Sequence, residues 1–515
     1  MSLLLLNDGS WFDITNCYGT GAGILTTYTE IANVAGLQGL IIYCLSGSLP
    51  MFLFAFLGPV IRRQCPHGFV LTEWCFQRFG RITGLALSLA TILTLFLFMI
   101  GELAAVYFAI ETLTTINGVP AVIIECIVTT IYTSIGGFKV SFITDNIQAT
   151  FVTLLLVIGT CSISSYIRLD PSVDKEPMLT SNKLAWKLLY ILPVAIVTND
   201  CFVSGFWLRT FASKSNRDLL IGTSIAAVLL FIYPFLVGFT GIIAVWNGSM
   251  QQGDDNVTNA FFYLVASCPK WVNGLILIFT CCLSTCTFDS LQSSMVSTIS
   301  NDIFRNKLNL FYIRIGVVLV MIPAVVVGLK CANDVLQIYL IADLISACII
   351  PILFLGLSSK FWFLTGWEVV IGSLGGFFAV FVFGTIYYGS AVEGGKLLIV
   401  YNSIYVDDWS AFGAFVVAPG FSLVVGFLTL GIRLTVLYVM SKVKNDDSIF
   451  RNAIDRSKHH FDYHPEISAV DTAEDDNGIK LDDGGDVISD NINDVEVQSE
   501  TLKKKKFFAR DIFSF

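Results

Sequence analysis

Apolar segments of membrane-spanning length recur along most of this chain. Hydrophobic residues make up 55% of its 515 positions and charged residues only 14%. Such segments, about 20 residues each, predict transmembrane helices, because a bilayer leaves no other partner for the backbone polar groups. The predicted spans are residues 12–31, 36–61, 82–110, 117–135, 143–166, 185–208, 218–246, 271–300, 309–329, 334–357, 363–388 and 410–440. The fold class is therefore an all-α polytopic membrane protein.

The composition changes near residue 441, which predicts two parts. Residues 1–440 form the membrane domain. Residues 441–515 contain few apolar runs and many Asp and Glu residues, and they end in a basic cluster at Lys503–Lys506. This composition is typical of a disordered, solvated tail. Much of the formal net charge of −9 comes from this tail rather than from the membrane domain.

The loops indicate an orientation for the membrane domain. Basic residues are more frequent in the loops on the side of the tail, which places the tail in the cytoplasm. Asn247 and Asn256 begin two N-glycosylation sequons in one loop on the opposite side. We therefore expect a glycosylated multi-pass protein of the plasma membrane with a cytoplasmic carboxyl terminus.

Carboxylates are the chemically notable side chains of the predicted spans. A charge in a membrane helix costs several kcal/mol unless it has a partner or a task. All four His residues are predicted outside the bilayer, so cation handling within it falls to carboxylates. The span residues concerned are Asp145, Glu102, Glu125, Asp200, Asp289 and Asp343. Their excess negative charge favours a positively charged partner.

The run from Tyr132 to Val152 suggests a family. It contains Tyr132-Thr133, Gly136-Gly137 and Thr144-Asp145, followed by Gln148, and we expect Gly136-Gly137 to end one helix before a second one begins. Two shorter passages agree with it, namely Trp207-Leu208-Arg209 with Ala212-Ser213, and Asp302-Ile303-Phe304. The chain resembles the sodium:solute symporter family, and most closely its fungal and plant urea and polyamine active transporters.

The resemblance implies a fold with two inverted repeats of five helices, of the LeuT type. The first repeat would lie in residues 12–166 and the second in 185–357, with two additional helices after them. Family members have more helical sequence before the position where Thr20 aligns. The resemblance therefore implies that the amino terminus of this chain is shortened and its first core helix incomplete.

The resemblance also implies an ion site. Gly21 and Gly23 would mark the break in the first core helix, where free carbonyls could meet a cation, although glycines also serve close helix packing. Cys286 and Thr287 match the two hydroxyl residues that complete the sodium site in relatives, and a thiol is a poor sodium ligand. Ser284 and Thr285 are the alternative if the register slips by two.

The remaining membrane carboxylates receive roles on the same basis. Asp145 is expected to couple ion movement, with a structural hydrogen bond as the alternative. Asp200, Asp289 and Glu102 are the candidates for a substrate cavity, and no metal site other than one for sodium is expected.

The function expected from these features is secondary active transport. The solute would be urea, a polyamine or a similar small polar or cationic molecule, carried inward with H⁺ or Na⁺ as coupling ion and with no other cofactor. Alternatives are a transporter-like nutrient receptor that signals through its tail, and a truncated remnant that does not transport. No nucleotide loop, zinc motif or nucleophile triad is present, so neither an enzyme nor a nucleic-acid partner is expected. The expected partners are the solute and the lipid bilayer, and no motif identifies a protein partner.

Overall fold

The described part of the chain is built from α-helices. The structure, a computed structural model, describes residues 21–444 with gaps at 66–69, 115, 214, 255, 306, 331–334, 402–403 and 405–407. At 134–149, 208, 209, 212 and 310 only the backbone is described. The helices are α1 Ile24–Gln64, α2 Leu71–Phe79, α3 Arg81–Leu113, α4 Val119–Tyr166, α5 Glu176–Leu179, α6 Lys183–Phe202, α7 Ser204–Ala212, α8 Asn216–Trp246, α9 Ala260–Ala266, α10 Lys270–Thr298, α11 Leu310–Lys330, α12 Val335–Leu355, α13 Gly366–Tyr388, α14 Ala391–Leu398 and α15 Ser410–Val443.

The predicted membrane class is confirmed. Within the described residues, nine helical segments are long and apolar enough to cross a bilayer. Every predicted span from 36–61 onward overlaps one of these helices or part of α4. The tail predicted from residue 441 lies outside the described residues, except that 441–443 complete α15.

Helix α1 joins two predicted spans through a bend. Gly36 adopts φ 66° and ψ −163° inside the helix, a backbone conformation that side-chain-bearing residues rarely adopt. A Cβ atom at this position would also lie 2.6 Å from the carbonyl oxygen of Met178. Glycine is therefore required here for both conformation and space, and the chain turns from one membrane segment into the next.

Helix α4 differs from the sequence expectation. The turn predicted after Gly136-Gly137 is absent, because helical backbone continues from Val119 to Tyr166. A glycine in a helix interior costs only about 1 kcal/mol relative to alanine, so two of them need not end a helix that apolar sequence continues on both sides. Asp145 lies on this helix, and its side chain is outside those described.

A break between α6 and α7 was not predicted, since 185–208 was expected to form one span. Val203 has φ −69° and ψ 125°, which is extended backbone between two helices. The indole nitrogen of the buried Trp207 donates to the carbonyl oxygen of Cys201 at 2.8 Å, which ties α7 back across the break. The polar backbone atoms exposed by such a break are available to a neighbouring cavity.

The two carboxyl-terminal membrane helices are held together by a buried ion pair. Arg433 of α15 donates through Nε to Glu368 of α13 at 2.5 Å, and through Nη2 to the carbonyl oxygen of Phe363 at 2.7 Å. Glu368 also accepts a bond from the backbone N–H of Thr365 at 2.7 Å, which caps α13. This pair is distant in sequence from the helix breaks and has a structural role.

Candidate functional site

A cavity of about 200 Å³ lies between the start of α1 and the break that separates α6 from α7. The start of α1 borders it on one side and the α6–α7 break on another, with α3, α8, α10 and α12 completing the wall. Its acidic lining residues are Glu102, Asp200 and Asp343, and its aromatic ones are Tyr28, Tyr43, Phe98, Phe206 and Tyr339. A solute site beside a broken helix, such as the α6–α7 break, is the arrangement expected of a transporter of this architecture.

Glu102 closes the cavity at the start of α1. Its Oε2 accepts the backbone N–H of Ala22 at 2.7 Å, and its Oε1 accepts the hydroxyl of Tyr339 at 3.1 Å. The glycines on either side of Ala22 make room for this arrangement. A Cβ at Gly21 would lie 2.0 Å from Oε1 of Glu102, and a Cβ at Gly23 would lie 2.3 Å from the Tyr339 hydroxyl.

Asp200 and Asp343 form the acidic side of the cavity near the α6–α7 break. Asn199, the residue before Asp200 on α6, donates through Nδ2 to Oδ1 of Asp343 at 2.6 Å. Asp343 on α12 is 7% exposed, and its charge acts on Asp200. Two carboxylates that share a confined space repel each other, and a positively charged occupant would relieve that repulsion.

Aromatic rings give the cavity flat apolar walls. Tyr28 and Tyr43, both on α1 and on opposite sides of its bend, stack with centroids 3.8 Å apart and an interplanar angle of 7°. Tyr339 meets Phe98 edge to face at 5.1 Å. Aromatic faces attract cations as well as alkyl chains, so carboxylates beside aromatic rings suit an organic cation.

The charge of the cavity is one-sided. None of its described lining residues is Lys, Arg or His, whereas three are carboxylic acids. Buried carboxylates without a partner are costly in a low-dielectric setting, and they therefore bind cations or protons. The site can accept positive charge, whereas an anion would add to the repulsion.

The predicted ion-site residues divide between two faces of α10. Cys286 and Thr287, the residues of the first register, line the cavity together with Gly21 and Gly23. Ser284 and Thr285 do not line it, and they face Glu125 of α4 instead. The ion role of all these residues stays a prediction, as does that of Asp145.

Asp289 is placed differently from the prediction. It does not line the cavity, and its Oδ2 accepts the hydroxyl of Tyr132 on α4 at 2.8 Å. The reason is helix geometry, because Cys286, Thr287, Ser290 and Ser294 form the cavity face and Asp289 points well away from their mean direction. Asp200 and Glu102 line the cavity, and their role in binding a substrate stays a prediction.

Sequence reasoning missed several lining residues. Asp343 was recognised as a membrane carboxylate without a role, and Tyr28, Tyr43 and Tyr339 were not singled out. Aromatic residues are abundant in this chain, so their position in the sequence alone does not separate lining residues from packing residues.

The sequon residues lie in the segment between α8 and α9. Asn247 caps α8 and donates through Nδ2 to Ser249 Oγ at 2.7 Å, and Asn256 is exposed. Their glycosylation remains a prediction.

Comparison with known proteins gives relatives that are transporters. The spermidine transporter DUR31 of Candida albicans is 57% identical over 426 residues, which is 82% of this chain and 82% of that protein. A probable urea active transporter of Schizosaccharomyces pombe is 23% identical over 247 residues, covering 44% of this chain and 37% of the relative. No family model matches the chain.

Solved structures show the same fold at low sequence identity. A substrate-bound, outward-open Na⁺-coupled sialic acid symporter superposes with a TM-score of 0.60 at 16% identity, over 82% of this chain and 89% of that one. A mutant manganese transporter of Eremococcus coleocola gives 0.55 at 14% identity, over 82% and 95%. Both are transporters of the LeuT fold. On its fold and its 57% identical relative, the chain belongs to the sodium:solute symporter family and is a multi-pass membrane transporter of small solutes, not an enzyme.

Proposed function

We propose that this protein imports a polyamine-like organic cation across the plasma membrane, with its carboxyl-terminal tail in the cytoplasm and with protons as coupling ion. The observation that carries this proposal is the cavity that combines Glu102, Asp200 and Asp343 with stacked aromatic rings and has no described cationic lining residue.

The charge of the cavity favours a polyamine over urea. A linear polyamine carries several ammonium groups separated by alkyl segments, which match carboxylates separated by aromatic walls. Urea is neutral, so its binding would leave the buried carboxylates uncompensated. The name of the 57% identical relative, a spermidine transporter, supports the same choice.

The nature of Cys286 supports protons over sodium. Sodium is a hard cation that prefers oxygen ligands, and a thiol replaces a hydroxyl at one of the positions that line the cavity near Gly21 and Gly23. Membrane carboxylates can carry protons without a complete coordination shell. Sodium remains the second candidate because one solved structure of the same fold is of a Na⁺-coupled symporter.

The proposal is tested by uptake in a yeast host that lacks its own polyamine and urea uptake. Labelled spermidine and urea are supplied separately, and Na⁺ and external pH are varied one at a time. We expect saturable spermidine uptake that rises with the inward proton gradient and does not require Na⁺. Urea uptake without spermidine uptake would refute the substrate choice, and spermidine uptake that follows Na⁺ alone would refute the ion choice.

Variants connect the uptake to the cavity. Asp200→Asn and Asp343→Asn are nearly isosteric, and each removes one negative charge from the wall. We expect each to raise the half-saturating spermidine concentration at least tenfold, equivalent to about 1.4 kcal/mol. Glu393→Gln is the charge-matched control, because Glu393 is partly exposed on α14 and pairs with Lys396 away from the cavity. Equal effects of all three variants would refute the assignment of the cavity.

A further inference from the structure

A second polar surface runs between α4 and α10, on the side of α10 that faces away from the cavity. Gln292 donates to Thr130 at 2.7 Å, and Tyr132 donates to Asp289 at 2.8 Å. Residues 281, 285, 289 and 292 follow the spacing of one helix face, opposite to the cavity-lining face. We call this surface, defined by Glu125, Thr130 and Tyr132 of α4 and by Thr285, Asp289 and Gln292 of α10, the α4–α10 seam.

Glu125 occupies the seam with its charge unbalanced. Both of its carboxylate oxygens are buried, and neither is at hydrogen-bond distance from a described partner. The hydroxyls of Ser284 and Thr285 face this carboxylate across the helix interface. Ser284 is fully buried, and its Oγ also lacks a hydrogen-bond partner among the described residues.

Thr285 adds an oriented acceptor. Its hydroxyl proton is directed to the carbonyl oxygen of Cys281 at 2.6 Å, so its lone pairs point away from that bond. The Glu125 oxygens and the Thr285 lone pairs are acceptors, and the Ser284 hydroxyl is the one donor beside them. One hydroxyl donor does not balance the charge of a buried carboxylate, so this group of oxygens favours a positively charged partner.

The described side chains around Glu125 supply no such charge. Among the described residues, the ionisable groups that act on or respond to Glu125 are Glu102 of α3, Cys126 of α4 itself and Cys281 of α10, none of which is cationic. A lone buried carboxylate costs several kcal/mol. An ion from solution can remove this cost.

We propose that Glu125, Ser284 and Thr285 form a site for one small monovalent cation, H⁺ or Na⁺, separate from the solute cavity. A proton would be held on one Glu125 oxygen and shared with a hydroxyl acceptor. A sodium ion would be coordinated by the same oxygens, which are the ligands that it prefers.

The site is electrostatically connected to the cavity. Glu125 acts on Glu102, the carboxylate that bonds to Ala22 at the start of α1. A cation at Glu125 therefore weakens the repulsion felt by Glu102, while removal of the cation restores it. Occupancy of the seam thus changes the charge state that the solute meets. This inference rests on the proposed function only in requiring that transport be ion-coupled.

The test separates ion coupling from solute translocation. Wild type and Glu125→Gln are reconstituted in proteoliposomes, and spermidine accumulation against a gradient is compared with spermidine exchange at equal concentrations. We expect Glu125→Gln to lose at least tenfold in accumulation while its exchange rate stays within twofold of wild type, because exchange requires no net cation movement. Retention of wild-type accumulation and ion dependence would overturn the proposal.

A further measurement identifies the ion, and a second variant replaces Glu125→Gln if that variant misfolds. If spermidine accumulation by Glu125→Gln no longer depends on pH while its ²²Na⁺ binding is unchanged, the ion is a proton. If Glu125→Gln loses ²²Na⁺ binding, the ion is sodium.

Should Glu125→Gln fail to fold, Ser284→Ala is used instead. We expect it to weaken the apparent affinity for the coupling ion at least threefold. Ser293→Ala is its matched control, a buried serine on the same helix whose hydroxyl has no described hydrogen-bond partner and which lies nine residues, about 13 Å along the helix axis, from Ser284. Equal behaviour of the two serine variants would overturn the site.

The proposed function and this site fail in distinguishable ways. If wild type accumulates urea rather than spermidine, the substrate proposal is wrong, and the Glu125→Gln comparison is made with urea. If wild type accumulates spermidine and Glu125→Gln does so equally, the seam site alone is wrong.

Discussion

Substitution of Gly21 by alanine tests how closely the start of α1 must approach α3. The added methyl carbon would lie 2.0 Å from Oε1, 2.5 Å from Cδ and 2.7 Å from Oε2 of Glu102. Ordinary contact begins near 3.4 Å, so the carboxylate must move by about 1.4 Å. Such a shift breaks or weakens its bonds with Ala22 N–H and the Tyr339 hydroxyl, which measure 2.7 and 3.1 Å.

The size of the effect follows from those two bonds. Each bond contributes about 1–3 kcal/mol, so losing both destabilises this conformation of the cavity wall by about 2–6 kcal/mol. At about 1.4 kcal/mol per factor of ten, Gly21→Ala should weaken spermidine binding at least thirtyfold. Equilibrium binding of labelled spermidine to purified protein measures this directly.

The same substitution elsewhere provides the control. At Gly274 of α10, no described atom lies within 4 Å of the position that an added methyl carbon would take. Gly274→Ala therefore adds no clash and favours the helix by about 1 kcal/mol. We expect it to bind spermidine like wild type. Wild-type affinity in Gly21→Ala would refute the close approach of Glu102 to the start of α1.

Three other predictions follow from single contacts. Tyr339→Phe removes the hydroxyl bond to Glu102 and should weaken spermidine affinity about three- to tenfold in the binding assay. Glu368→Gln leaves Arg433 without its anionic partner and should lower the free energy of unfolding by about 2–4 kcal/mol. This is less than for a fully buried pair, because the Arg433 side chain is 24% exposed. Thermal unfolding in detergent measures the change, and unchanged stability would contradict the prediction. Asn256→Gln should abolish one glycosidase-sensitive shift in gel mobility, whereas wild-type mobility in the variant would exclude a glycan there.

The membrane helices were predictable because their signal is local. An apolar run of about 20 residues has few alternatives in a bilayer, and the predicted spans match the helices to within a few residues outside the interrupted regions. The α6–α7 break carried a weaker signal. Val203 is a common membrane residue, and Asn199 and Asp200 became informative only when α12 placed Asp343 beside them.

The cavity was predictable only in part because it depends on helix rotation. Glu102 and Asp200 were singled out by their charge, and Cys286 with Thr287 by the family resemblance. Asp289 satisfied the criterion of charge but lies on the other face of α10. A buried carboxylate shows that a polar environment exists, while only the packing of neighbouring helices shows which environment it is.

Charge balance links the proposed substrate to the proposed coupling site. The cavity holds three carboxylic groups, and the seam adds Glu125 and Asp289, of which Asp289 accepts the Tyr132 hydroxyl. A solute with several ammonium groups would neutralise the cavity, whereas the proposed small cation would neutralise Glu125 on the other side of α10. A neutral solute would leave the cavity carboxylates as well as Glu125 to be neutralised by ions alone. The division of carboxylates between two faces of α10 therefore favours a polyvalent organic cation moving together with one small cation, rather than a neutral solute moving with several.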